Sequence, residues 1–405
     1  MLSLENFYYI LYTNLLYPAN LKESFFHPFG ANDAKSIISI SYSKLIYNKA
    51  NSFKKHVLFY DQEPINPNVL NEFCRTKMLL SRTPEIVPLK LHNRCNILAN
   101  SEKSILKDTL LAEYHFVDWY YFFHGFAALD WYRDYQYVPN IENQFSQVFI
   151  SFNRLVTKDR SYRLYMVAKM IEKNLLDKGQ VSLILKDNGL GTWEQELGDT
   201  DSRLSLLAKT TVYQYISTLR DSLTIDMENP PGYASAMAGG QEMHLLKSAL
   251  WHVVGETVFY DEKLHLTEKI FKPIVARRPF ILVGAQGNLA YLKSYGFKTF
   301  DRWIDESYDL ESDPDKRIDM AIDQLDKLCS LSHDELVSMH REMEDILNYN
   351  FNHLYSDFKT IIVKELLDNF QSAIAAWNNN GGLTYDRSVD ISMINFEEVQ
   401  KRLLQ

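Results

Sequence analysis

The sequence predicts an α/β fold: two doubly wound domains of parallel strands alternating with helices, followed by C-terminal helices. Three observations predict it. Short apolar runs of about five residues recur and end at polar or glycine-containing turns. Helical patterns stand between those runs, which is the rhythm of a parallel sheet. The chain has 405 residues, more than one domain of roughly 100–200 residues.

Residues 1–24 carry Leu and Tyr at helical spacing, and Pro28, Gly30 and Asn32 end that pattern. Ile37–Ile40 reads as a strand. His56–Tyr60 is an apolar run meeting Asp61 and Glu63 at its C-terminal end, and Asn66–Phe73 can start a helix. Cys95–Asn100 is a second such run, followed by Ser101 and Glu102, which suit a helix start. Trp119–Phe123 reads as an aromatic strand ending at His124 and Gly125. The pattern breaks at Tyr137–Asn140, and Ile141–Gln147 reads as a link.

It resumes with a strand at Val148–Phe152, a helix at Tyr162–Leu176 and a strand at Val181–Leu185. Asp187–Asp201 is loop-like, and Leu204–Leu219 is helical. Pro230, Pro231, Gly232, Gly239 and Gly240 mark a loop, either a lid or a long connection. The clearest rhythm follows: strand Ala249–Val254, a helix opening at Thr267, strand Pro279–Val283, and helix Leu289–Tyr295 stopped by Gly296. This is the order of a doubly wound domain. Residues 315–375 are helical, and a last short helix lies near Glu397. The expected domains are 1–145 and 146–375, with 376–405 a tail that packs back on the first.

Composition narrows the function. Apolar residues make up 46% and charged residues 23%, enough to bury a large core, so disorder across the whole chain is excluded. Cys74, Cys95 and Cys329 form neither a metal motif nor a disulfide framework, which points to a reducing compartment. Met1–Asn20 lacks a basic leader and does not read as a signal peptide, and no run of about 18 apolar residues suggests a membrane span. The net charge of −9 counts against non-specific coating of nucleic acid. The expected location is cytoplasmic.

In an open α/β sheet, ligands sit beyond the carboxyl ends of the strands. Asp61, Glu63, His124, Asn153, Arg154, Glu256, Glu268 and Lys269 all fall there by sequence order. In Thr267-Glu268-Lys269-Ile270-Phe271-Lys272-Pro273, Thr267 suits an N-cap and Glu268 the positive end of a helix. Lys269 and Lys272 lie on neighbouring faces of one turn. A helix N-terminus beside two ammonium groups suits a phosphate or diphosphate, and the neighbouring carboxylate suits ribose hydroxyls. The same residues also suit a capped surface helix with solvated lysines.

The run from Gly255-Glu256-Thr257 through His265-Leu266-Thr267-Glu268-Lys269 to Pro279–Gly284 resembles the donor-binding core of fucosyltransferase-like glycosyltransferases of the GT-B fold. Gly287-Asn288-Leu289, Tyr295-Gly296-Phe297, Asp305–Asp309, Tyr60–Pro64 and Phe123–Ala128 resemble patches of glycosyltransferases inferred in phages and large viruses. The resemblance implies two Rossmann-like domains facing a cleft. It implies that Glu268 binds the ribose and Lys269 the diphosphate of a nucleotide sugar, such as a UDP- or GDP-sugar, with Glu256 near the sugar or ribose. Thr267, Lys272, Asn153, Arg154 and Arg160 complete the expected donor site. It further implies metal-independent transfer with no resident cofactor, and no DxD motif in a suitable setting stands against that.

An inverting transfer needs a base for the attacking hydroxyl. Asp61, Glu63 and His124 are the candidates, and a retaining outcome stays open. The expected acceptor is a glycan or a hydroxymethylated base in phage DNA. The competing readings are a sugar- or nucleotide-binding protein without catalysis and a structural virion component. Residues 1–145 hold 14 basic and 14 acidic residues, against 29 and 38 in 146–405. Lys35, Lys44, Lys49, Lys54 and Lys55 follow one another without an acid between them. An anionic acceptor would therefore meet the first domain.

Overall fold

The computed structural model describes residues 2–19, 24–26, 55–59, 96–99, 115–137, 144–187, 191–219, 221–223, 225, 240–260, 264–380 and 389–405. Ile37–Ile40, Asp61, Glu63, Asn66–Phe73, Cys74, Cys95 and Pro230–Gly239 lie outside them. The described residues form a mixed α/β protein with parallel four-stranded sheets. The strands of the two four-stranded sheets are β1 (Ser24–Phe26), β2 (Lys55–Phe59), β3 (Asn96–Ala99), β4 (His115–Asp118), β5 (Gln147–Asn153), β6 (Gly179–Leu183), β7 (Ala249–Gly255) and β8 (Phe280–Val283). The α-helices are α1 (Leu4–Ile10), α2 (Phe123–Trp131), α3 (Tyr162–Glu172), α4 (Trp193–Gly198), α5 (Leu206–Ile216) and α6 (Gly240–Ser248). They continue with α7 (Glu268–Ala276), α8 (Asn288–Ser294), α9 (Pro314–Cys329), α10 (His333–Tyr355), α11 (Asp357–Asn380) and α12 (Phe396–Leu404). Among these residues no helix is long and apolar enough to cross a membrane.

Two compact units divide the chain: Met1–Asp130 with Lys359–Gln405, and Trp131–Phe358. The passages thus fall at 130/131 and 358/359, whereas the sequence pattern breaks near 145 and 375. In the first unit, β1 to β4 pair in sequential order, all parallel. The indole N–H of Trp119 donates to the Leu366 carbonyl at 3.2 Å, and Asn369 Nδ2 donates to the Tyr120 carbonyl at 2.9 Å. These bonds bind most of α11 to the first unit. Its apolar face, Ile362, Val363, Leu366, Phe370 and Ala373, is buried at helical spacing.

The aromatic stretch at 119–123 is not a strand. The strand ends at Asp118, and Phe123 already opens α2. Aromatic residues favour strands because they fit a half-buried pleated surface. Here the Trp119 ring instead packs on Tyr121 and Phe370, with centroids 5.4 and 5.0 Å apart, and packing overrides propensity.

In the second unit the strand order is β8-β7-β5-β6, again all parallel. The chain leaves β5 to one side for β6 and returns to the other for β7, so the order reverses between β5 and β7. All seven residues of β7 are buried, as expected of a strand covered on both faces. Two helices were not legible as such. The six-residue α4 lies in the stretch read as loop, started by a capping box in which Thr192 and Gln195 serve each other's backbone. The nine-residue α6 begins at Gly240, a glycine that reads as a loop signal. The helical stretch 315–375 resolves into α9, α10 and α11, with a second capping box at Ser332 and Glu335.

Candidate functional site

Glu256 immediately follows β7 and has no exposed surface. Its carboxylate accepts from the backbone N–H groups of Thr267 at 3.1 Å and Thr257 at 3.2 Å, and from the Thr267 hydroxyl at 2.6 Å. Burial raises its pKa, and the Lys269 ammonium and the Thr267 donors pull it back. Burying a carboxylate is costly unless donors replace its water. This one has three, and it uses them to hold the start of α7 against the end of β7. The carboxylate thereby positions Thr267.

Thr267 is the N-cap of α7, as the sequence predicts. Its hydroxyl oxygen also accepts from the Lys269 backbone N–H at 3.4 Å. The Lys269 ammonium reaches Thr267 Oγ1 at 3.1 Å, Thr257 Oγ1 at 3.3 Å and Glu268 Oε1 at 3.1 Å. Three acceptors match its three N–H bonds. The Lys269 side chain is 30% exposed and that of Glu268 13%, so both are reachable from solvent. Two of the three acceptors are neutral hydroxyls, which an anionic oxygen displaces readily because charge-assisted bonds are about twice as strong.

The other expected donor residues divide. The Lys272 ammonium lies 5.3 Å from the centre of the Phe152 ring. Asn153 ends β5 with no exposed surface; its amide donates to Ser151 Oγ at 3.0 Å. Arg154 is exposed and Arg160 half-buried. Both follow the carboxyl end of β5, while hydrogen bonds gather Glu256, Thr267, Glu268 and Lys269 at the start of α7. His124 is 5% exposed in the first turn of α2, its ring 5.2 Å from Phe123. Asp61 and Glu63 lie outside the described residues.

Arg163 and Asp309, to which the sequence assigned no role, complete the carboxyl edge together with His265, which its loop position offered as a phosphate contact. Arg163, 3% exposed, donates to the carbonyls of Leu155 at 3.1 Å, Gly255 at 3.1 Å and Glu256 at 3.3 Å. It fills the gap where the strand order reverses. A side chain at Gly255 would meet the Tyr162 hydroxyl at 2.9 Å, so only glycine fits there. Asp309, its pKa raised by burial, caps α8 by accepting from the backbone N–H groups of Leu289 at 3.0 Å and Ala290 at 3.3 Å. That helix N-terminus is occupied by the protein's own carboxylate. His265 is 6% exposed and held neutral, its pKa pushed down to about 3 by burial and then by Lys269. It is thus not a cation for a phosphate.

Among the described residues no group of three or more His, Cys, Asp or Glu side chains is placed to hold a metal ion. No protein-family model, curated protein or solved structure matches the chain.

Proposed function

We propose that the protein is a glycosyltransferase that takes a sugar from a nucleotide-sugar donor to an acceptor hydroxyl, with the two units arranged as Rossmann-like domains of the GT-B type. The observation that carries the reading is the Lys269 ammonium, held at the start of α7 by two hydroxyls and Glu268 beyond the carboxyl end of a parallel sheet. Such an ammonium can meet a diphosphate without first being desolvated from bulk water. The resemblance of the surrounding sequence supports the same assignment.

In this reading Lys269 and the α7 N-terminus take the diphosphate, and Glu268 accepts from ribose hydroxyls. The bond that breaks joins the sugar's anomeric carbon to the diphosphate oxygen. The electron pair leaves with that oxygen, and Lys269 stabilises the growing charge. The acceptor hydroxyl attacks the anomeric carbon, and a base takes its proton; Asp61 and Glu63 are the proposed bases for an inverting step. His124, buried among aromatic rings, is the less suited of the three. The acceptor is proposed to be a hydroxymethylated DNA base or a glycan. The site as proposed needs no metal ion.

The test is transfer of labelled sugar from a panel of UDP- and GDP-sugars to duplex DNA containing hydroxymethylcytosine, to plain duplex and to oligosaccharides. Transfer by the native chain that disappears in a folded Lys269→Ala variant is the expected result. Transfer that survives that substitution contradicts the donor-site assignment.

A further inference from the structure

The opposite, amino edge of the second unit's sheet carries a group of cations that the candidate donor site does not use. Lys247 lies two residues before β7, Arg278 two residues before β8, and Gln144 three residues before β5. These three strands are neighbours. Lys247 is 7% exposed, Arg278 3% and His340 4%. Arg278 donates through Nη2 to the carbonyls of Lys247 at 2.7 Å and Gln144 at 3.3 Å. Its Nη1 lies 3.1 Å from His340 Nε2. Arg277, in the left-handed region at φ 51°, lays its guanidinium 3.5 Å from the centre of the Phe351 ring.

Among the described residues none of these four side chains forms an ion pair. Lys247 Nζ, Arg277 Nε and Arg278 Nε are buried and, among the described residues, have no hydrogen-bond partner. A buried ammonium with no partner costs several kcal/mol, so it is either discharged or met by an anion from outside. Burial and the charges of Arg277 and Arg278 push the Lys247 pKa down to about 8, which still leaves the amine mostly charged at neutral pH. Gln144, whose carbonyl Arg278 holds, is itself exposed, so the cluster lies just below solvent.

We propose that Lys247, Arg277, Arg278 and His340 form a binding site for a compact oxyanion of the phosphate type, on the edge of the sheet opposite the candidate donor site. The small exposed area of these side chains favours a single phosphoryl group over an extended polyanion. The guanidiniums supply planar paired donors and Lys247 a point charge, the usual division of labour around phosphate. The inference does not depend on the glycosyltransferase reading.

The experiment is thermal melting of the full chain in inorganic phosphate against sodium chloride of matched ionic strength. It compares the native chain with Lys247→Met and with Lys269→Met. Methyl phosphate in a parallel arm tells free phosphate from a phosphoryl group carried on a larger molecule. The expected result is a saturable rise of about 3 °C at ten times the dissociation constant, kept in Lys269→Met and lost in Lys247→Met. Without phosphate, Lys247→Met should melt above the native chain, because it removes an unpaired buried cation. A rise equal in all three proteins is a general salt effect and overturns the proposal. So does a rise lost in Lys269→Met and kept in Lys247→Met, or the absence of any saturable rise.

Discussion

The carboxyl and amino edges of the second unit's sheet are built from the same strands, yet they handle charge in opposite ways. At the carboxyl edge, Glu256 is fully buried but receives three donors, and Lys269 has an acceptor for each of its N–H bonds. At the amino edge, Lys247 and Arg278 are also buried and have no acid paired with them among the described residues. The contrast teaches that burial alone does not mark a ligand site. The carboxyl edge is a finished network with one exchangeable end at Lys269. The amino edge is an unfinished one.

The largest effect comes from breaking the finished network. Glu256→Ala leaves two backbone N–H groups and a hydroxyl buried without an acceptor, and should destabilise the protein by about 3 kcal/mol in urea unfolding. Lys247→Met, at the other edge, should not destabilise it at all in the absence of phosphate. A similar loss in both variants would erase the distinction between the edges.

Acid should reach both edges through their buried histidines. His252 and His265 have their pKa values pushed down to about 3 and His340 to about 4, each first by burial. In the unfolded chain they take protons near pH 6.5. The stability they support is therefore complete above about pH 6.5. It is lost as pH falls from there toward the folded values, by up to about 1.4 kcal/mol per pH unit for each histidine. His340→Gln should remove one such share from the loss between pH 6 and pH 5, read as a shallower fall in the urea midpoint. An unchanged slope would mean that His340 is already protonated in the native protein.

A smaller effect tests the cap behind the candidate site. Asp309→Ala strips the two N–H groups at the start of α8 of their acceptor and should cost about 1 kcal/mol. It should leave phosphate binding at the amino edge unchanged, which the same melting experiment reads.

Much of the carboxyl edge was legible in the sequence. The apolar run before Gly255, the Thr267 cap and the two lysines of the next turn follow from local patterns. What could not be read is direction. A residue after a strand can turn inward or outward, and Glu256 turns inward because Thr257 and Thr267 offer it three donors. The cap on α8 was hidden for another reason: Asp309 comes 20 residues after the N–H it accepts. The amino-edge cluster was hidden by distance, since Arg278 meets partners 31 and 62 residues away. The stretch 119–123 misled because aromatic residues suit a strand and a helical layer alike, and only Leu366 and Phe370, far along the chain, decide between them.

The central claim is that the carboxyl edge, through Lys269, receives a diphosphate. Calorimetric titration of UDP and GDP into the native chain, Lys269→Ala and Lys247→Met tests it most directly. The account predicts that at least one nucleoside diphosphate binds the native chain and Lys247→Met alike, and binds Lys269→Ala about tenfold to a hundredfold more weakly, the worth of one charge-assisted hydrogen bond. Equal binding to Lys269→Ala, or no binding to the native chain, would contradict it.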